Sequence, residues 1–130
     1  MKPNVFFLSG SDKTPEVRFA PEEGTIDICG ASYPENAQAF YNYLLDKIDR
    51  YAQSPPVPKT YVRFRFSYFN TGTNTPIFAL FRTLEKLNQK DDHEVEIYWE
   101  FDEDDEDIKE LGEYFSGMVE LPFKIIEVKQ

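Results

Sequence analysis

Three threonines crowd one turn. Thr71, Thr73 and Thr75 lie within Tyr68-Phe69-Asn70-Thr71-Gly72-Thr73-Asn74-Thr75-Pro76, where an alternating apolar pattern gives way at once to a helical one. The chemistry open to such hydroxyls is to receive a phosphoryl group. The expected setting favours it. The hydroxyls fall at the C-terminal end of a strand, beside the positive end of a helix dipole, where backbone N–H groups lack partners within the helix. Such a place suits a phosphate, bound or covalently attached. The turn reads as a phosphorylation switch carried by Thr71, whose hydroxyl directly follows the strand end and Asn70. Thr73 is the second choice, one step into a turn loosened by Gly72. Thr75-Pro76 has the form of an N-cap and first helical residue, which would occupy the Thr75 oxygen. A partner is expected to dock on Asn70, Thr71, Gly72, Thr73 and Asn74, and on the exposed side of the helix that follows. The plainer alternative is a polar turn in which Thr75 caps a helix and the other two threonines fill space.

Other chemistry finds less footing. Asp102-Glu103-Asp104-Asp105-Glu106-Asp107 is an unbroken acidic run. Asp102, Asp104, Glu106 and Glu113 echo calcium-loop spacing, but Asp107 stands where such a loop needs glycine. The run reads better as a helix start, with carboxylates at the positive dipole end, and as an acidic docking surface. The single histidine, His93, lies in a polar turn without a nucleophile signature beside it. Neither a P-loop nor a dinucleotide fingerprint is present. Cys29 reads as a half-buried strand residue and Trp99 as core. No catalytic residue, metal or cofactor is expected.

The elements that must hold the turn follow from periodicity. Val5–Leu8 reads as an edge strand. Glu16–Ala20 and Thr25–Cys29 flank Pro21-Glu22-Glu23-Gly24 as a hairpin. Ser32-Tyr33-Pro34-Glu35 resembles a capping box with proline in the first turn. Ala37, Phe40, Tyr41, Leu44, Ile48 and Tyr51 then recur at helical spacing. Ile77, Leu80, Phe81, Leu84 and Leu87 form a second stripe, and Ile108, Leu111, Phe115 and Met118 a third. Phe123–Val128 reads as a last strand. Between them lie two central strands. Val62, Phe64, Phe66 and Tyr68 share a face opposite Arg63, Arg65 and Ser67. Val95, Ile97, Trp99 and Phe101 share a face opposite Glu94, Glu96, Tyr98 and Glu100. One dry and one charged face per strand predicts an α/β domain of two layers, with all helices on one face of a mixed sheet. On the wet face, Arg63 and Arg65 can meet the glutamate row, each exposed pair contributing only about 0.2–1 kcal/mol.

The totals agree with one domain over residues 1–130. Hydrophobic residues make up 41% and aromatics 16%, enough for a core. The net charge of −10 argues against nucleic acid and anionic membrane surfaces and for partners with basic surfaces. With Cys29 as the one cysteine, no intrachain disulfide forms. The longest wholly apolar run, Ile77–Phe81, is far too short to span a bilayer, and no leader pattern opens the chain. A cytoplasmic protein is expected.

Three motifs then add a resemblance. Lys13-Thr14-Pro15-Glu16-Val17, Gly30-Ala31-Ser32-Tyr33-Pro34-Glu35-Asn36 and Tyr68-Phe69-Asn70-Thr71 occur in this order. In that order and at about that spacing the chain resembles the SiaC family, bacterial regulatory phosphoproteins with a fold like anti-sigma-factor antagonists (STAS domains). The resemblance runs from about Phe7 to Ile126. It implies a STAS-like fold and a partner switch. A dedicated Ser/Thr protein kinase would phosphorylate the threonine after the asparagine, here Thr71, and a PP2C-like phosphatase would reverse it. The unmodified form would bind and activate a diguanylate cyclase in cyclic-di-GMP and biofilm signalling. Gly72 and Thr73 stand where the family usually has two serines, and Pro76 where it usually has no proline. The competing expectations are a small-molecule or nucleotide sensor on the same scaffold, and an anti-sigma-factor antagonist.

Overall fold

Alternation in the two central strands sorts the chain into layers. The computed structural model describes residues 5–33 and 35–129. Its elements run β1 (Phe6–Leu8), β2 (Glu16–Ala20), β3 (Thr25–Ser32), α1 (Ala37–Gln53), β4 (Lys59–Phe69), a 3-10 turn (Thr71–Thr73), α2 (Asn74–Asn88), β5 (Glu94–Asp102), α3 (Glu106–Met118) and β6 (Phe123–Val128). The strands lie in sequence order, β1-β2-β3-β4-β5-β6. The first three are joined antiparallel, the rest parallel. Each parallel step needs a crossover, and right-handed crossovers taken in one direction put every helix on one face. Burial follows that rule. Tyr41, Leu44 and Ile48 of α1, Ile77, Phe81 and Leu84 of α2, and Ile108 and Phe115 of α3 share one core with Ile28, Val62, Phe64, Ile97 and Trp99 of the sheet. On the other face Arg63 bonds Asp27 at 2.8 Å and Glu100 at 3.1 Å, Arg65 pairs with Asp102, and Lys59 with Glu96. The sheet is therefore mixed and two-layered, as the alternation predicts.

Four local expectations fail, each for a visible reason. Ser32-Tyr33-Pro34-Glu35 does not cap α1. Ser32 is the buried last residue of β3, paired with Phe69, and Asn36 is the cap, its Oδ1 accepting from the Ala39 N–H at 3.0 Å. The parallel partner β4 extends β3 three residues past Cys29, so the serine is spent inside the sheet end. Pro34 lies outside the described residues. Thr75 does not cap α2 either. The chain tightens one turn earlier, and Asn70 caps that 3-10 turn by accepting from the Gly72 N–H at 2.7 Å. Thr75 is an exposed residue in the first turn of α2.

Tyr68 leaves the face it was expected to share with Val62, Phe64 and Phe66. The β3–β4 register steps from Gly30↔Phe66 to Ala31↔Tyr68, leaving Ser67 as an extra residue. Gly30 takes φ 121° at this bulge, a conformation other residues resist. After it Tyr68 is 52% exposed, and Phe69 packs instead on Phe66 and Phe115, ring centroids 5.0 and 5.8 Å away. Met118, finally, is 49% exposed, and Gly112 takes a buried place in the α3 stripe.

Candidate functional site

Strand, turn and helix meet where the sequence places its threonines. At the end of β4 the Asn70 N–H donates to the Ser32 carbonyl at 2.8 Å, fastening the turn to β3. The Asn70 carbonyl accepts from the Thr73 N–H at 2.8 Å, and the Asn74 N–H donates to the Thr71 carbonyl. Thr71, Gly72 and Thr75 are exposed, whereas Thr73 is wholly buried. The three hydroxyls thus have different fates, and burial removes Thr73 from the surface a partner sees.

The Thr73 side chain closes a hydrogen-bonded chain that no sequence pattern announced. Its Oγ1 donates to the Ser32 carbonyl at 3.3 Å and lies 3.1 Å from Ser32 Oγ. Ser32 Oγ lies 2.6 Å from the Tyr41 hydroxyl. The directions follow by elimination. With the Thr73 proton committed to the carbonyl, Ser32 donates to Thr73, and Tyr41 donates to Ser32. Burial pushes the Tyr41 pKa well above its ordinary value, outweighing the opposing bond to Ser32, so the phenol keeps the proton it donates. Ser32 had the right residue type for a cap, and Tyr41 sat on an apolar stripe. Neither spacing links them to a turn more than thirty residues on.

Thr71 also borders a cleft of about 270 Å³ shared with Tyr68, Phe69, Asn74, Asp105, Asp107, Ile108 and Leu111. The far wall is the start of α3. Trp99 holds it in place, donating from Nε1 to the Ile108 carbonyl at 2.9 Å, with Gly112 lying against its ring. Asp105 caps α3, its Oδ1 accepting from the Ile108 N–H at 3.1 Å, and Glu106 and Asp107 occupy the first turn. The acidic run is therefore a strand end and a helix start, with Asp102 paired to Arg65. Among the described residues no group of three or more His, Cys, Asp or Glu side chains is placed to hold a metal. Asn74 lines the cleft, and its Oδ1 is buried without a protein partner. Tyr68 meets Tyr33 edge to face, centroids 4.9 Å apart, on the same end of the sheet.

The remaining candidates lie elsewhere. His93 is buried at the opposite end of β4, its Nε2 2.7 Å from Thr60 Oγ1, which lies 2.7 Å from the Tyr51 hydroxyl. Cys29 is half-buried in β3 and Trp99 wholly buried. None of the three joins the threonine turn. No helix among the described residues is long and apolar enough to cross a membrane.

Comparison with known proteins adds to this geometry. The model of the SiaC family regulatory phosphoproteins matches residues 8–128. An uncharacterized protein of Pseudomonas aeruginosa (strain UCBPP-PA14) is 26% identical over 118 residues, covering 91% of this chain and 92% of that protein. Two crystal structures of SiaC from Pseudomonas aeruginosa share the fold. One is apo-SiaC, with TM-score 0.82, 23% identity, and 95% and 98% of the two chains covered. The other holds the diguanylate cyclase SiaD with its activator SiaC, with TM-score 0.87, 24% identity, and 95% and 99% covered.

Proposed function

The chain belongs to the SiaC family of regulatory phosphoproteins, and we propose that it is a non-enzymatic partner switch whose state is set by phosphate on Thr71. In the unmodified state it binds and activates a diguanylate cyclase, as SiaC is described as doing for SiaD. A Ser/Thr protein kinase transfers the γ-phosphoryl group of a nucleoside triphosphate to Thr71 Oγ1, which gives up its proton. A PP2C-like phosphatase returns the hydroxyl by hydrolysis.

One observation carries the choice of residue. Of the two threonines the sequence offered as phosphosites, Thr71 is exposed and Thr73 is buried with its hydroxyl spent on Ser32. Thr75 is exposed too, and its expected capping role is gone. It is set apart by standing inside α2 before Pro76, whereas Thr71 borders the cleft. The cleft explains how modification would act. A phosphothreonine adds about −1.5 to −2 charges. On Thr71 that charge shares the cleft with Asp105 and Asp107. The domain tolerates it at an exposed turn. An effector seated there would have to desolvate three anionic groups together, which costs far more than covering a hydroxyl. The docking surface comprises Asn70, Thr71, Gly72 and Asn74, with the cleft beside them. Thr73 serves from beneath.

Phosphosite mapping by mass spectrometry, on the chain isolated from its own cells, tests this. Phosphate is expected on Thr71 and absent from the Thr71→Ala chain. Phosphate on Thr75, with Thr71→Ala modified as fully as wild type, refutes the assignment.

A further inference from the structure

We infer that the buried chain Tyr41–Ser32–Thr73 is the positioning device of the switch, a clamp that holds the turn so that Thr71 is presented in one geometry. This rests on the reading of Thr71 as the switch and adds to it the role of Thr73. The second threonine is the residue by which the fold grips the turn.

Three observations carry it. First, the clamp joins three elements remote in sequence: α1 through Tyr41, the end of β3 through Ser32, and the 3-10 turn through Thr73. Second, the turn is closed by its own hydrogen bonds, but little else fastens it to β3. Its backbone reaches β3 through the Asn70 N–H alone among the hydrogen bonds described between them, and its middle residue, Gly72, is exposed and without a side chain. The Thr73 hydroxyl makes two further contacts to Ser32, one to each oxygen. Third, the clamp is polar where apolar packing would serve stability as well. Ser32 and Thr73 are wholly buried and Tyr41 nearly so. A buried hydroxyl chain gains little net stability over well-packed methyl groups, and each member left unpaired is costly. What directional bonds supply, and methyl groups do not, is a fixed position. The same clamp keeps the Thr73 hydroxyl away from any kinase.

The test compares Thr73→Val, which keeps the shape and removes the hydroxyl, with Thr73→Ser, which restores it. Two quantities are read on the full chain. One is amide hydrogen exchange at Gly72, Thr73 and Asn74, with Ile97 and Trp99 of β5 as the internal reference for folding. The other is the share of chains carrying phosphate on Thr71 when isolated from their own cells. Thr73→Val should speed exchange in the turn by about tenfold or more while Ile97 and Trp99 stay protected. It should also lower Thr71 occupancy, and Thr73→Ser should recover both. Should Thr73→Val fail to fold, Tyr41→Phe removes only the outermost hydroxyl, and the same two shifts are expected at smaller size. Unchanged exchange in the turn of a folded Thr73→Val chain overturns the clamp. So does a loosened turn with undiminished phosphate on Thr71, which would leave the chain of hydroxyls as packing alone. A wild-type chain without phosphate on Thr71 overturns the switch itself, and the exchange result then still decides whether the clamp exists.

Discussion

Ser32 Oγ lies 3.1 Å from Thr73 Oγ1, although 41 residues separate them along the chain. The contact ties the end of one parallel strand to the turn that follows its neighbour. It exists because β3 runs on beside β4 as far as Ser32↔Phe69, bringing the two strand ends level.

Ser32→Ala removes the middle of the hydroxyl chain and leaves both Tyr41 and Thr73 short of a buried partner. The expected loss is about 1–3 kcal/mol, larger than for Tyr41→Phe, which strands only one acceptor. Urea denaturation of the two variants checks the order. Equal stability of Ser32→Ala and wild type would contradict a hydroxyl chain closed through Ser32.

Asn70→Ala should cost about 0.5–2 kcal/mol, because the Gly72 N–H loses its cap. Thr75→Ala should stay within about 0.5 kcal/mol of wild type, as an exposed residue with no capping bond to lose. Thermal unfolding of the pair separates them. The opposite ranking would restore Thr75 as the cap.

That reversal shows where the sequence was legible. Strict alternation from Val62 to Phe66 and from Val95 to Phe101 marks the dry face, and with it the one-sided helix layer. The stripes of α1 and α2 were equally plain. Caps were not, because Ser32, Asn36, Asn70 and Thr75 are all acceptable cap residues, and tertiary pairing chooses among them. The bulge at Ser67 was invisible, since a one-residue insertion depends on the register of the partner strand. It moved Tyr68 outward and Phe69 inward. The turn could be placed from sequence, but the burial of Thr73 could not, because its partners come from β3 and α1.

Gly112→Ala should lower stability by about 1–3 kcal/mol through overpacking. A Cβ there would stand 2.4 Å from Trp99 Cδ1, in a wholly buried ring. Because Trp99 also holds the first turn of α3, the change should disturb the cleft wall. Tryptophan fluorescence and denaturation together check it. A neutral substitution would mean that α3 rides more loosely on β5 than the contact implies.

His93 should make the fold weaken with acid. Burial lowers its pKa below the ordinary 6.5, Lys90 adds to this, and Asp92 opposes it. The unfolded chain therefore takes up the proton first. The contribution is complete above the unfolded value near 6.5 and is lost as pH falls towards the folded one. Glu85 and Glu96, whose pKa values are lowered from 4.5, lose theirs only at more acid pH. Denaturation at about pH 7.5 and about pH 5.5 should show a drop in wild type. In His93→Gln the drop should be smaller. Parallel pH profiles would place the titration elsewhere.

The most direct test is the affinity of two forms of the chain for a diguanylate cyclase captured from its own cells with the Thr71→Ala chain, which cannot be modified at that position. One is unmodified, the other carries phosphothreonine at position 71, and calorimetric titration compares them. The unmodified chain should bind and the phosphorylated one should bind at least about tenfold more weakly, with both equally folded. Equal affinity of the two forms would contradict a switch at Thr71.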